Sequence, residues 1–157
     1  MNVAADRVRE QIVSIFTAWG MDAGPVRTAA EVMVETDLMG VDSHGVSMLM
    51  DYDEARRRGK LNLKAKPKVV REGPVTALVD ADAGLGHPAA VMGMKLALAK
   101  ARTMQVGVVT VFNSHHFGAA GYYAAMASKA GMLGTTPMVR VALVTMPIMP
   151  AFDAIAA

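Results

Sequence analysis

The sequence predicts an α/β fold in which a helical N-terminal part precedes an α/β layer, and three observations support this. Apolar residues recur at helical spacing within the first 60 residues. From Leu61 onward short apolar runs are separated by turn residues, as in strands. These runs then alternate with helical patterns rich in small residues. We therefore predict a helical N-terminal subdomain over residues 1–60 and part of an α/β domain over residues 61–157.

Three helices are expected in the N-terminal part. The first begins after a cap at Asp6, ends at Gly20 and places on one face Val8, Ile12, Ile15, Phe16 and Trp19. The second opens at Gly24-Pro25, where a proline suits the first turn of a helix. The third is expected to begin after Asp42-Ser43 and run to Arg58, with an apolar face of Val46, Leu49 and Met50.

The α/β part begins with two strands joined by the turn residues Glu72-Gly73-Pro74. In all, we expect strands over 69–70, 75–79 and 106–112 and helices over 88–104 and 119–129. Another apolar stretch follows Gly131 and loses clear periodicity from Met146 to Ala157. This is an unusual place for a domain to stop, so we expect the α/β domain to be truncated.

Composition narrows the class of protein. Of the 157 residues, 53% are hydrophobic and 19% charged, which excludes a disordered chain. No apolar run approaches the roughly 20 residues that span a bilayer, and we find no secretion signal, so a soluble protein without a membrane partner is expected. The absence of cysteine excludes disulfides and thiolate metal sites and favours a cytoplasmic location.

The net charge is +2, and the one dense basic run is Arg56-Arg57-Arg58-Gly59-Lys60. It lies at the predicted end of a helix, where cations complement the helix dipole. Nucleic-acid binding would favour a basic face interleaved with aromatic residues, and no aromatic residue lies in this run. We therefore expect no nucleic-acid partner.

The first candidate site is Asp42-Ser43-His44-Gly45-Val46. Histidine exchanges protons near neutral pH, and the small Gly45 leaves room beside His44. We expect Ser43 to cap the third helix and His44 to lie in its first turn, near the positive end of the dipole. The alternative is that Asp42 and Ser43 are only caps and His44 a surface residue. A serine hydrolase is disfavoured because its serine would need glycines two residues before and after it.

The second candidate site is the segment Asn113 to Tyr123, with the sequence NSHHFGAAGYY. It follows the most strand-like run and opens a helix of small residues, which is where α/β proteins bind dinucleotides and anions. Close approach of a phosphate or ring to the backbone is expected at Gly118. The alternatives are a tight turn whose glycines serve packing, and a metal site at His115 and His116. No third metal ligand is evident at zinc-like spacing, so no metal is expected.

A third segment, Gly84-Leu85-Gly86-His87-Pro88-Ala89, fits the G-x-G-x-x-A pattern of a Rossmann phosphate loop. Two features disfavour that interpretation. The next strand ends at Asn113 rather than in an acidic residue for the ribose, and Pro88 lacks an N–H group for a pyrophosphate. We expect a turn that leads into a packed helix.

In their order and spacing, three segments resemble the type 2 malate/L-lactate dehydrogenase family: Val41 to Val46, Gly84 to His87, and Asn113 to Tyr123. This family includes ureidoglycolate, sulfolactate, diketogulonate and piperideine-carboxylate oxidoreductases. The resemblance extends from about residue 5 to about residue 135 and covers only the N-terminal part of such enzymes. It implies a non-Rossmann NAD(P)-binding α/β domain, NAD or NADP as cofactor, a small 2-oxo/2-hydroxy acid as substrate, and a homodimer.

The resemblance also implies roles for individual residues. His44 would donate or accept the proton at the substrate oxygen, assisted by Ser43, while Tyr52 would reach the substrate. The cofactor would be lined by His116, Phe117, Gly118, Ala119 and Ala120. Met48 stands where many members carry an arginine for the substrate carboxylate, so the sequence departs from the family pattern there. The alternative function is a non-catalytic remnant that keeps the fold and ligand binding.

Overall fold

The computed structural model describes residues 3–136 and 142–147. Its α-helices are α1 (Ala5–Ala18), α2 (Ala23–Leu38), α3 (Leu49–Arg57), α4 (Gly86–Met104) and α5 (Ala120–Lys129). Its strands are β1 (Lys68–Glu72), β2 (Thr76–Asp80), β3 (Gly107–Phe112), β4 (Met132–Thr135) and β5 (Ala142–Pro147). The predicted order of helices followed by an α/β layer is confirmed.

The strands form one sheet in the order β1-β2-β3-β5-β4. Among the described strands, β2 and β3 alone pair in parallel, with α4 as their connection, whereas the other neighbouring strands are antiparallel. The carboxyl ends of β2 and β3 therefore lie at the same edge of the sheet, with Asp80 opposite Phe112. The loops that leave these two strands carry two of the three segments singled out in the sequence.

Two apolar clusters hold the elements together. One lies beneath the N-terminal helices, and its largest members include Ile12, Phe16, Met33 and Tyr52. The other lies between the sheet and its helices and includes Val79, Met94, Val109, Val111 and Tyr123. Both clusters cross residue 60, because Val32 belongs to the sheet cluster and Leu61 and Leu85 belong to the helical one. A subdomain boundary at residue 60 stays a prediction.

The third helix differs from its prediction. Residues 42–45 form a turn, Val46–Met48 form a 3₁₀ turn, and α3 begins only at Leu49. Its predicted apolar face is wrong at two positions, because Val46 and Met50 are exposed whereas Tyr52 is buried. Since the helix starts later, its buried stripe is shifted toward Tyr52.

The late start of α3 has a cause outside the segment itself. Gly45 packs so closely on α2 that a Cβ atom there would overlap the Asp37 carboxylate. The same carboxylate accepts a hydrogen bond from the Val46 N–H at 2.9 Å. It thus caps the 3₁₀ turn, and the prediction that Ser43 caps the helix is wrong.

The basic run at the end of α3 is ion-paired. Arg56 and Arg57 contact Asp53 at 2.6 and 2.7 Å, and Arg58 pairs with Glu54. The Arg56 guanidinium also lies 5.1 Å from the centre of the Trp19 ring. These contacts agree with the interpretation of the run as a charged helix end.

Within the described residues, no helix has the length and apolar character of a membrane span. The segment 148–157 lies outside the described residues.

Candidate active site

The two loops at the carboxyl ends of β2 and β3 are joined through their backbones. The N–H groups of Ala83 and Gly86 donate to the carbonyls of Asn113 and His116 at 2.8 and 2.9 Å. In the opposite direction, the His115 N–H donates to the Gly84 carbonyl at 3.0 Å. The candidate segments around residues 84–87 and 113–116 thus form one structural unit.

This pairing occupies the glycine-rich segment. The N–H groups of Gly84 and Gly86 both donate hydrogen bonds to protein carbonyls, and Pro88 has no N–H group. A Cβ atom at Gly86 would lie 2.5 Å from the His115 carbonyl oxygen, and one at Gly84 2.3 Å from the Ala65 Cβ. The glycines permit close packing and do not form a phosphate loop, in agreement with the sequence prediction.

Three histidines from distant parts of the chain meet beside these loops. The ring centre of His116 lies 5.2 Å from that of His44 and 6.3 Å from that of His87. His44 comes from the turn before α3, His87 from the first turn of α4, and His116 from the loop after β3. Each belongs to one of the three segments identified in the sequence, and the fold brings all three together.

His44 is the outer member of this group. Its side chain is partly exposed, and its Nδ1 lies 2.8 Å from the hydroxyl oxygen of the exposed Ser43. It lies in the turn at 42–45 and not in the first turn of a helix, so the predicted proximity to a helix dipole is wrong. The Ser43 hydroxyl orients the ring instead.

Tyr52 connects the other two histidines. Its ring is 3% exposed, and its hydroxyl oxygen lies 2.7 Å from His116 Nδ1 and 3.4 Å from His87 Nε2. Burial, reinforced by the nearby Asp51, raises the pKa of the phenol. Tyr52 therefore keeps its proton and acts as a neutral hydrogen-bonding group.

Burial disfavours the charged form of both His87 and His116. Complete burial, with a smaller effect of His116, lowers the pKa of His87 to about 3. Burial followed by the proximity of His44 lowers the pKa of His116, while Asp51 acts in the opposite direction.

The predicted cofactor segment is only partly accessible. His116, Phe117 and Ala120 are half-buried, whereas Gly118 and Ala119 are buried. Gly118 has φ of +82°, and a Cβ atom there would lie 3.0 Å from Val32 and 3.3 Å from the His87 ring. The side of Gly118 where a Cβ atom would lie is therefore filled by protein, and its contact with a ligand stays a prediction.

The helix that follows is better suited to a close ligand. α5 begins at Ala120 directly after this loop, and a Cβ atom at the exposed Gly121 would meet nothing within 4 Å. The first turn of a helix leaves backbone N–H groups without helical partners. The open start of α5 is therefore where a ligand could come closest to the backbone beside this loop.

Met48 belongs to the apolar packing of the N-terminal helices. It is half-buried and packs against the apolar cluster beneath the N-terminal helices.

Among the residues described, no group of three side chains has the geometry of a metal site. The nearby His115 is also turned away from the cluster, since its Nε2 lies 2.8 Å from the Lys60 carbonyl oxygen.

Sequence reasoning missed His87 as a member of the site. It considered this histidine only as part of the glycine-rich segment. The available signal was a polar residue at the start of a helix that is otherwise lined with buried small residues. Such a position usually holds an apolar residue unless the polar group has a partner, and here the partner is Tyr52.

Comparison with known proteins identifies the family to which this chain belongs. Residues 3–155 match the family model of malate/L-lactate dehydrogenases, and the chain belongs to this family. The match covers nearly the whole chain, including the three segments on which the resemblance was based.

Individual relatives agree. The chain is 42% identical over 134 residues to malate dehydrogenase of Pyrococcus horikoshii, covering 85% of this chain and 37% of the relative. It is 36% identical over 136 residues to L-sulfolactate dehydrogenase of Methanocaldococcus jannaschii, covering 87% and 40%. The solved structures of these enzymes superpose with TM-scores of 0.81 and 0.82, each over 85% of this chain and 38% and 39% of the respective structure. The chain thus spans about two fifths of the length of these relatives.

Proposed function

We propose that this chain is an oxidoreductase that moves a hydride between NAD(P)H and a small 2-oxo/2-hydroxy acid. The observation that carries the proposal is the convergence of His44, His87 and His116 at the carboxyl edge of β2 and β3. Relatives named malate and L-sulfolactate dehydrogenase support this substrate class. As in the resemblance, a homodimer is the proposed assembly.

His44 is proposed as the proton donor in reduction and the acceptor in oxidation. When a carbonyl carbon gains a hydride, its oxygen becomes an alkoxide that must gain a proton. His44 is partly exposed, unlike the fully buried His87, and Ser43 hydrogen-bonds its Nδ1 at 2.8 Å. That contact leaves Nε2 as the nitrogen available to the substrate oxygen.

The reduced nicotinamide would supply the hydride when it is bound. The side chains proposed to hold it are the half-buried His116 and Phe117, with Ala120 at the start of α5. The buried Gly118 and Ala119 shape this loop from within. Tyr52 is proposed to serve the substrate indirectly, since its hydroxyl already bonds to His116.

The substrate carboxylate poses a separate requirement. Met48 has no charge and packs on the apolar cluster, so it offers no ion pair to an acid. We therefore propose that Met48 contributes an apolar surface near the substrate and that another cation binds the carboxylate. A preference for substrates with a bulky or apolar side chain would agree with this role.

The test is an assay of the purified chain with NADH or NADPH and a panel of 2-oxo acids, including oxaloacetate and pyruvate. Loss of the reduced cofactor's absorbance with at least one acid supports the proposal. The control is a variant with His44→Ala, which should remove most of that loss.

A cofactor titration by fluorescence distinguishes the alternative of a non-catalytic remnant. Saturable binding of NADH or NADPH without turnover of any 2-oxo acid would contradict the proposed activity and favour the remnant. Turnover that survives in His44→Ala but not in His116→Ala would instead show that the wrong imidazole was assigned as proton donor.

A further inference from the structure

The hydrogen bonds around His116 define which of its nitrogens carries the proton. Nδ1 of His116 lies 3.4 Å from the backbone nitrogen of Gly118 and 2.7 Å from the Tyr52 hydroxyl oxygen. A backbone N–H can only donate. Because Gly118 donates to Nδ1, this nitrogen is the unprotonated one, and the proton of the neutral ring resides on Nε2.

The protonation of His116 fixes the direction of its hydrogen bond with Tyr52. An unprotonated Nδ1 can only accept, so the Tyr52 hydroxyl must donate its single proton to His116. The Tyr52 oxygen can then only accept from His87, whose Nε2 lies 3.4 Å away. His87 must therefore carry its proton on Nε2.

The far side of His87 agrees with this assignment. Its Nδ1 is buried and has no hydrogen-bond partner among the described residues. With the proton on Nε2, the unpartnered Nδ1 presents only a lone pair. A lone pair without a donor is tolerated better in protein interiors than a buried N–H without an acceptor. The opposite tautomer would bury an unsatisfied donor and break the contact with Tyr52.

We infer that Tyr52 and His87 are positioning residues that hold His116 in the tautomer protonated at Nε2. The ordered bonds run from His87 through Tyr52 to His116, and they leave the Nε2–H of His116 as a donor of fixed orientation beside His44. This deepens the proposed function and rests on it for any effect on turnover, whereas the tautomer can be tested without catalysis.

The surroundings of His116 indicate how the arrangement responds to pH. The titratable groups that face it are His44, Tyr52 of α3, His87 of α4 and, at longer range, Asp51. Donation from Tyr52 to the Nδ1 lone pair stabilises only the neutral ring. Removal of that donor should therefore allow His116 to bind a proton at higher pH.

The experiment is nitrogen-15 NMR of the imidazole rings in the whole chain at neutral pH. The chain has only four histidines. His115 is an internal reference for a ring protonated at Nε2, because this nitrogen faces the Lys60 carbonyl. We expect His116 and His87 to show the same pattern. A proton on Nδ1 of His116 would overturn the inference, and this measurement needs only the wild-type chain.

Variants then test the two positioning residues. Tyr52→Phe keeps the ring but removes the hydroxyl. Because only the long 3.4 Å contact from the Gly118 N–H then opposes a proton on Nδ1, we expect His116 to become a mixture of tautomers. Its titration midpoint should rise by roughly half to one pH unit, which corresponds to the loss of one hydrogen bond. An unchanged tautomer and midpoint in Tyr52→Phe would overturn the role of Tyr52.

His87 is tested by two substitutions. His87→Phe removes the donor and should raise the His116 midpoint in the same direction by a smaller amount, because hydrogen bonds in a chain strengthen one another. His87→Gln can donate to Tyr52 again and should restore wild-type behaviour. Equal effects of the two variants would overturn the role of His87.

A matched control and a turnover measurement separate this inference from the proposed function. Tyr122→Phe removes a half-buried hydroxyl outside the cluster and should leave His116 unchanged. With the expected NMR result, a reduced kcat in Tyr52→Phe supports the positioning role, and an unchanged kcat overturns it. Absence of turnover in the wild type would contradict the proposed function alone.

Discussion

His44 is a partly exposed imidazole whose Nδ1 lies beside the Ser43 hydroxyl, in a cluster that also holds the buried His87. If it transfers the substrate proton, His44→Ala should lower turnover by roughly 10² to 10⁴, the usual contribution of a positioned general acid. Cofactor affinity should change little, because the loop at 116–120 remains in place. Steady-state kinetics and a cofactor titration measure the two effects separately.

Ser43→Ala is the matched control for that measurement. It removes only the hydroxyl that orients His44, so its effect on turnover should be smaller than that of His44→Ala. A loss of cofactor affinity with turnover retained in His44→Ala would contradict the assigned role.

His87 makes stability depend on pH with a definite sign. Its pKa is about 3 in the folded chain, against 6.5 for an ordinary histidine, so the unfolded chain binds more protons between these values. Stability should therefore fall as the pH drops below about 6.5, by at most about 1.4 kcal/mol per pH unit from this group. Above that pH, His87 contributes no slope.

Denaturant unfolding of the wild type and His87→Phe between pH 5 and 8 measures this contribution. The variant should lose most of the slope between pH 5 and 6.5, while the remaining slope reports His116, whose pKa is lowered in the same direction. Identical slopes in the two proteins would show that His87 is not the buried neutral group described.

Gly118 and Gly121 form a second matched pair. Gly118→Ala should destabilise the fold by about 1–3 kcal/mol, because it combines a positive φ with a Cβ atom 3.0 Å from Val32. Gly121→Ala meets open space within α5 and should stabilise the helix by about 0.5–1 kcal/mol. Denaturant unfolding checks both changes.

Cofactor affinity in the same two variants tests where a ligand approaches. We expect Gly121→Ala to weaken binding of NADH or NADPH, since its added methyl group lies on the open side of α5. Weaker binding in Gly118→Ala, with wild-type stability and an unaffected Gly121→Ala, would show that the ligand approaches Gly118 instead.

At the scale of elements, α4 is anchored to the β1–β2 hairpin by a buried lysine. Lys100 is 8% exposed, and its Nζ donates to Glu72 and to the Gly73 carbonyl, both at 2.8 Å. Lys100→Ala should lower the free energy of unfolding by about 1–3 kcal/mol, through the lost contacts of the stem and the unpaired carbonyl. Thermal or denaturant unfolding measures the change.

Glu72→Gln separates the ion pair from the rest of this anchor. The Glu72 side chain is 54% exposed, so the charge itself should contribute no more than about 1 kcal/mol. A larger loss in Glu72→Gln than in Lys100→Ala would show that the ion pair, and not the hydrogen bond to Gly73, dominates the anchor.

At the scale of the whole molecule, apolar surface and sheet edges favour association. β4 lies at an edge of the sheet, and its Leu133 is 58% exposed. An exposed strand edge is a known route to pairing between chains. We predict that the chain is a dimer or larger in solution, with the segment from Gly131 onward at the contact.

Light scattering at increasing concentration tests that prediction. Leu133→Lys should shift the population toward monomer, because a charge at an edge strand opposes pairing. The exposed Met50 on α3 provides a control, and Met50→Lys should leave association unchanged. A stable wild-type monomer at high concentration would contradict the prediction.

Much of the architecture follows from the sequence because it depends on local chemistry. The helical period before residue 60, the turn at residues 72–74 and the apolar run that forms β3 were each predicted within a few residues. The three motif segments were also recognised without coordinates. Glycine, proline and the alternation of apolar residues act within a few positions along the chain, so their effects can be predicted from local sequence.

Contacts between distant segments decided the rest. The start of α3 depends on Asp37 of α2, which caps the turn after Gly45. The side toward which Gly118 faces depends on Val32 and His87. No local pattern encodes these neighbours, because they come together only when α2, α4 and the loop after β3 pack. The sequence by itself determined most of the helices and strands and the resemblance to the family, whereas tertiary packing decided where α3 begins, which histidines meet and how Tyr52 links them.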